Sequence, residues 1–352
     1  MSIAASPNHY KFQLMSAKIN LASDTLKAIL MDTDFEFDVD SHALLSDVIA
    51  NQLATGNGYT RGSHSFTTPV LTEDDANNKG AFTCDDLTIT ASGGDIGPVG
   101  GYMIIDTSAI EATEFFTTLV DRTFVTISTH WVVGTVGTTF DATTDLSLVS
   151  DATGQYCAIP FSDIGTALKD GGLYRLQYDY SETTAGWEFK LNGVALQVLG
   201  DAVAGAAQII DFIAAEDFAT TDELRIYSKT NAAAAGDFDN FSLKELGTIV
   251  ANVDFNSLFD SITDGSTAGA SVFTSAGSSW DVDGLIGKKV VISTGSDIGY
   301  YLITDNDATT ITVAETFTGT ESDLVATIQT LVDYTISSGS SIQLQNVAIS
   351  VA

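Results

Sequence analysis

Leu324-Val325-Ala326-Thr327-Ile328, followed by Ser341-Ile342-Gln343-Leu344-Gln345-Asn346-Val347-Ala348-Ile349-Ser350-Val351, reads as the closing hairpin of a β-module. The module that needs it lies at the other end of the chain. Residues 10–108 read as a polar, β-rich unit that stops at Tyr102-Met103-Ile104-Ile105-Asp106 without a final hairpin. The two ends therefore predict one domain split by an insertion across 109–323. Insertion at an exposed loop tip is tolerated when the chain ends there lie close together. On this reading, joining residue 108 directly to 324 should leave a folded base.

Composition sets the class. The chain has 352 residues, 46 acidic against 14 basic, for a formal net charge of −32. That balance excludes nucleic acid, whose phosphates require clustered Lys and Arg, and it disfavours anionic membrane surfaces. Hydrophobic residues make up 44%, with 19 Phe and 11 Tyr, enough for packed cores. Abundant Thr, Ser, Val and Ile with scarce Lys and Glu predicts strands over helices. Cys84 and Cys157 fall in different predicted domains and have no metal-type spacing with His. No basic start followed by an apolar run opens the sequence, and no stretch has the length of a membrane span. The expectation is a protein made and folded in a cytoplasm.

Along the chain, Tyr10 to Met15 and Thr25 to Met31 alternate polar and apolar, as strands do. Residues 41–53 carry Leu44, Leu45, Val48, Ile49 and Leu53 at helical spacing behind Ser41. Gly56-Asn57-Gly58-Tyr59 is a turn, and short strands follow before the loop Ser92 to Pro98.

Several of these blocks carry a resemblance. Lys11-Phe12-Gln13-Leu14-Met15, Asp24-Thr25-Leu26-Lys27 with Leu30-Met31, Gly56-Asn57-Gly58-Tyr59, and Thr88-Ile89-Thr90-Ala91 with Asp95-Ile96-Gly97-Pro98 resemble, in this order, the base domain of tailed-bacteriophage virion structural proteins of the capsid-decoration or head-fibre type. The resemblance implies a virion location, docking on a major capsid protein or other virion proteins, and a homo-oligomer. It covers residues 1–108 and 324–352, and the segment between departs from it.

The first insert, 111–246, holds many strand-like runs between turns, which predicts a β-sandwich. Tyr174-Arg175-Leu176-Gln177-Tyr178-Asp179-Tyr180, Trp187-Glu188-Phe189-Lys190-Leu191-Asn192-Gly193 and the ending Asp237 to Leu246 resemble jelly-roll carbohydrate-binding modules. The second insert, 250–322, has Gly284 to Ile292, Tyr300 to Thr304 and Thr310 to Val313. These predict a small SH3-like or OB-like barrel. The fold class is mainly β: a split base with an inserted jelly roll and a small β-module.

Catalysis finds little support. His9, His42, His64 and His130 are scattered, no phosphate-cradling Gly loop precedes a helix, and abundant carboxylates single out no glycosidase pair. The chain is expected not to be an enzyme. Two constellations remain. Asp237 and Asp239, with Asn240, place hard oxygens at alternate positions and suit a structural Ca²⁺; the alternative is turn chemistry before a strand. Tyr178, Tyr180 and Trp187 offer flat rings for a host-surface glycan; the alternative is a sandwich core. The function these readings favour is capsid-exterior decoration that displays the jelly roll. A tail-fibre or baseplate receptor-binding component and a polysaccharide-degrading enzyme are the alternatives.

Overall fold

The computed structural model describes residues 6–351 apart from 76–78, 111–113, 125–129, 135–138, 143–144, 166, 185, 230–233, 256, 331–333 and 345–347. The fold is mainly β, and among the described residues no helix is long and apolar enough to cross a membrane.

The base opens with helix α1 (Asn8–Met15), then β1 (Leu26–Met31), α2 (Leu45–Val48), β2 (His64–Ser65), β3 (Val70–Asp74), β4 (Lys79–Thr83), β5 (Leu87–Thr90), β6 (Ile96–Val99) and β7 (Gly101–Ile110). β1 and β7 pair antiparallel from Leu26↔Asp106 to Met31↔Gly101. The apolar run Ala28-Ile29-Leu30-Met31 is buried on both faces. Ala28 and Leu30 join one core cluster, Ile29 and Met31 another. A continuous apolar run is what a strand covered on both sides requires.

The sandwich follows. Its strands are β8 (Val132–Val133), β9 (Thr139–Ala142), β10 (Leu146–Ser150), β11 (Tyr156–Pro160), β12 (Leu173–Thr184), β13 (Trp187–Asn192), β14 (Leu196–Asp201), β15 (Gly205–Ile213), β16 (Glu223–Ser228) and β17 (Ala234–Asp254). One sheet runs β14-β13-β16-β11-β8. The other runs β15-β12-β17 and continues without a break into β7-β1-β2 of the base, with β10 and β9 alongside β17. Between the sheets lie Trp131, Phe161, Leu176, Tyr178, Phe189, Phe238 and Phe241.

A closed barrel comes next: β18 (Ser257–Ala268), β19 (Val272–Ser275), β20 (Lys289–Ile292), β21 (Gly299–Asn306), β22 (Thr310–Val313) and β23 (Thr320–Thr330). The chain then re-enters the base. β24 (Tyr334–Ile336) pairs with β6, β25 (Ser341–Leu344) with β5, and β26 (Ala348–Val351) with β4. Ile336, Ile342 and Leu344 complete the base core beside Ile89, Ile96 and Val99.

Three sequence expectations need correction. Tyr10 to Met15 is helix, not strand: Tyr10 and Gln13, three apart, turn inward, and Phe12 and Met15 face out. A short alternating run satisfies either period, and here the i, i+3 pair decides. Residues 324–330 belong to the barrel rather than the base. β23 pairs with β18 on one side and β20 on the other, closing the barrel, and Leu324, Ala326 and Ile328 fill its interior. Closure removes both unpaired edges. Finally, no boundary falls at 246–250. β17 serves the sandwich up to Leu246 and the base from Thr248, where it pairs with β7.

Candidate functional site on the sandwich

The three rings proposed as a glycan platform lie in the core. Tyr178 and Trp187 are 1% exposed and Tyr180 is 3%. The physical reason is strand alternation. Tyr174, Leu176, Tyr178 and Tyr180 share the inner face of β12, and Trp187, Phe189 and Leu191 the inner face of β13. Tyr178 packs against Phe189 at 4.6 Å and Tyr180 stacks on Phe238 at 4.4 Å, filling the gap between the sheets.

The outer face of the β14-β13-β16-β11-β8 sheet carries a different set. Alternation that buries Leu224, Ile226 and Ser228 turns Glu223, Arg225 and Tyr227 outward. Tyr227 lies directly across from Tyr156 on β11 and from Glu188 on β13, and Arg225 lies across from Lys190. Two tyrosines thus sit side by side on adjacent strands, about 4.8 Å apart by sheet geometry. The Lys190 ammonium stands 3.6 Å over the Tyr227 ring and the Arg225 guanidinium 3.9 Å over the Tyr156 ring. Each cation also has a carboxylate at 2.7 Å, Glu188 for Lys190 and Glu223 for Arg225. Four charged groups lock each other and the two rings, so the face is pre-ordered and locally neutral. Gly134 makes room: a Cβ there would meet Tyr156 Cε2 at 1.8 Å. Val198 and Leu196, both substantially exposed, extend the face along β14.

Asp237 and Asp239 point together from β17 into a cavity of about 410 Å³ that Asp145, Asp179 and Gly205 also line. Their oxygens already have partners. Ser147 Oγ donates to Asp237, and the Asn240 amide donates to Asp239 at 2.8 Å. Asp179 accepts from Ala207 N at 2.6 Å and from Asn240 Nδ2 at 2.7 Å. Burial lifts the Asp239 carboxyl above its ordinary value, and repulsion from Asp179 and Asp145 adds to this. Among the described residues no three His, Cys, Asp or Glu side chains converge to hold a metal ion. The expected calcium pair, Asp237 and Asp239, shares one cavity with Asp145 and Asp179.

Sequence reasoning also left His130 alone. The fold brings its Nδ1–H to Asp121 Oδ2 at 2.7 Å, and this hydrogen bond raises the imidazole pKa. Asp121 is buried, and its carbonyl accepts from Trp131 Nε1 at 3.1 Å. The pair anchors α3 (Leu119–Thr123) to the sandwich core.

No known protein family and no curated protein matches the chain. Among solved structures, a CBM22-1–CBM22-2 tandem domain from Paenibacillus barcinonensis Xyn10C is similar over 67% of this chain and 100% of that one, at 10% identity and a TM-score of 0.30. The N-terminal cellulose-binding domain of a β-1,4-glucanase C from Cellulomonas fimi is similar over 40% and 99%, at 18% identity and 0.19. The adhesin domain of Epf from Streptococcus pyogenes is similar over 89% and 87%, at 9% identity and 0.12. TM-scores of 0.30 and below are too small to establish a common fold.

Proposed function

We propose that this chain is a non-catalytic display protein: a base of the tailed-phage virion type that docks on a capsid or other virion protein and presents a glycan-binding sandwich and a small barrel. The observation that carries this reading is topological. The chain leaves the base after β7, returns along β17, leaves again for the barrel, and returns through β24, β25 and β26. A platform carrying two excursions suits presentation, since insertions project from the surface that carries them.

The outer face around Tyr156 and Tyr227 supports the glycan part. Flat rings take the apolar face of a sugar, and the half-buried Arg225 and Glu223 beside them supply donors and acceptors for its hydroxyls, while the buried Lys190–Glu188 pair holds the Tyr227 ring from beneath. The balanced charge of this face, within a chain of net charge −32, favours an uncharged glycan over an acidic one. The test is binding of the full chain to neutral and acidic polysaccharides, with a Tyr156→Ala/Tyr227→Ala double variant alongside. Losing two stacking contacts should weaken binding about tenfold to a hundredfold with little change in melting temperature. Equal binding by the double variant discards this face. Release of sugar products by the purified chain overturns the non-catalytic reading, and absence of the protein from purified particles overturns the virion reading.

A further inference from the structure

Where the barrel meets the base, one lysine and one glutamate are held against each other. On β20, Val290 and Ile292 point into the barrel interior, so Lys289 points out of it. Its side chain is nonetheless only 2% exposed. The Nζ pairs with the carboxylate of Glu36, which follows β1 in the base and is 23% exposed. Both backbones are fixed. Lys289 lies between its register partners, Leu302 on β21 and Gln329 on β23. Glu36 lies between Phe35, buried in the base core, and Phe37, packed against that core.

As two ions the pair is costly. A buried ammonium has three N–H groups to satisfy, and among the described residues Glu36 is the one acceptor in hydrogen-bond range. Gln329, on the same outer face, has a buried Oε1 with no hydrogen-bond partner. Burial pushes the Lys289 ammonium down to about 8, against the pull of Asp34 and Asp32, so neutral amine, the nucleophile, is present at neutral pH. Burial also lifts the Asp32 carboxyl above its ordinary value, so an acid that acts electrostatically on Nζ can carry a proton. Removing both charges together relieves the desolvation of each and leaves neither ion unpaired.

We propose that Lys289 and Glu36 condense to an isopeptide bond that ties the barrel covalently to the base. A proton passes from the ammonium to the carboxylate, the amine lone pair attacks Glu36 Cδ, and the C–N bond forms. The tetrahedral carbon then loses one oxygen as water. Both hydrogens of that water come from the ammonium, with Asp32 relaying one from nitrogen to the leaving oxygen. One ammonium and one carboxylate give one amide and one water, with no change of oxidation state. Amine and carboxyl held in contact react as if at about 10⁵–10⁸ M. The product keeps one N–H and no charge in a site nearly closed to water. The inference is independent of glycan binding.

Intact mass spectrometry of the full chain, denatured after incubation near pH 8, tests it. Wild type should weigh one water less than its sequence. Proteolysis should release a branched peptide that joins the segments around Glu36 and Lys289. Lys289→Met and Glu36→Ala should each have the mass of their own sequence and no branched peptide. Asp32→Asn keeps both reacting groups and should condense more slowly, showing both masses when wild type shows one. The near-ultraviolet signal of Trp280, in the barrel core, reports that the variants keep the barrel folded. Wild type at its full sequence mass overturns the bond. Loss of water that persists in Lys289→Met and Glu36→Ala also overturns it, since the loss then lies elsewhere in the chain.

Discussion

Tyr178 and Tyr180 occupy the same face of one strand and have opposite hydrogen-bonding fates. Tyr178 Oη accepts from Val203 N at 3.1 Å, and Tyr180 Oη is buried with no partner. Tyr178→Phe should therefore cost about 0.5–1.5 kcal/mol, and Tyr180→Phe should be neutral or stabilising by about 1 kcal/mol. Denaturant melts of the two variants check this, and a larger loss from Tyr180→Phe contradicts it. Asp239 gives a pH-dependent counterpart. Its folded pKa lies above the unfolded value, so its favourable contribution is present at low pH and lost as pH rises through the folded pKa. At neutral pH the ionised group weakens the fold. Asp239→Asn should raise the melting temperature at neutral pH and give no gain below about pH 4. A gain of the same size at both would rule out this cause. Calcium that raises the melting temperature of wild type but not of Asp239→Asn would identify Asp237 and Asp239 as ligands. The inward rings were legible in the sequence as alternating aromatics. Choosing between core and platform needed the second sheet, which single-strand periodicity does not contain. Tyr156 and Tyr227 carried one usable signal, the outward Arg225-Ile226-Tyr227 alternation, but their pairing joins strands far apart in sequence.

Among the elements, β17 has the most to reconcile, since it is an inner strand of the sandwich and then of the base. The change happens at Gly247, which has φ +100° and would place a Cβ 3.1 Å from Leu45 Cβ. The register against β7 shifts just after, between Ile249 and Ala251. Gly247→Val meets both a left-handed backbone and a side-chain contact, and should cost about 1–3 kcal/mol. The sandwich and base should then unfold in separate transitions rather than together, which differential scanning calorimetry resolves. A single unshifted transition argues against Gly247 as the joint. A second tie spans the same modules. Arg61 bonds Asp170 at 2.7 Å and the Leu53 and Gln52 carbonyls at 3.0 Å. The runs Tyr174 to Tyr180 and Trp187 to Asn192, singled out in the sequence, fall in β12 and β13, where aromatic and aliphatic residues alternate with polar ones. The sequence placed a domain boundary inside β17 because Asp237 to Leu246 resembles the closing strand of a jelly roll, although the backbone does not stop there.

At the scale of the whole molecule the two excursions differ in how they can be removed. The barrel's ends meet, since Ser257 and Thr330 are register partners, and antiparallel partners have Cα atoms about 5 Å apart. On the base side Asp254 pairs with Gly101 and Tyr334 with Val99, and the Phe255 and Tyr334 rings lie 6.3 Å apart. A chain lacking 257–330 should fold, keep β24–β26 paired, and melt cooperatively. The shorter variant that the sequence alone recommends, with residue 108 joined to 324, should fail. It removes Val250, Ala251 and Val253, which are fully buried in the base core, and it keeps a barrel strand whose partners are gone. Losing three core side chains and an inner strand removes a large share of the about 5–15 kcal/mol that holds a typical domain. The pair of deletions is decisive because both remove inserted chain and only one removes base core. If the 108–324 fusion melts cooperatively and the 257–330 deletion does not, β17 is not part of the base, and the platform reading loses its topology.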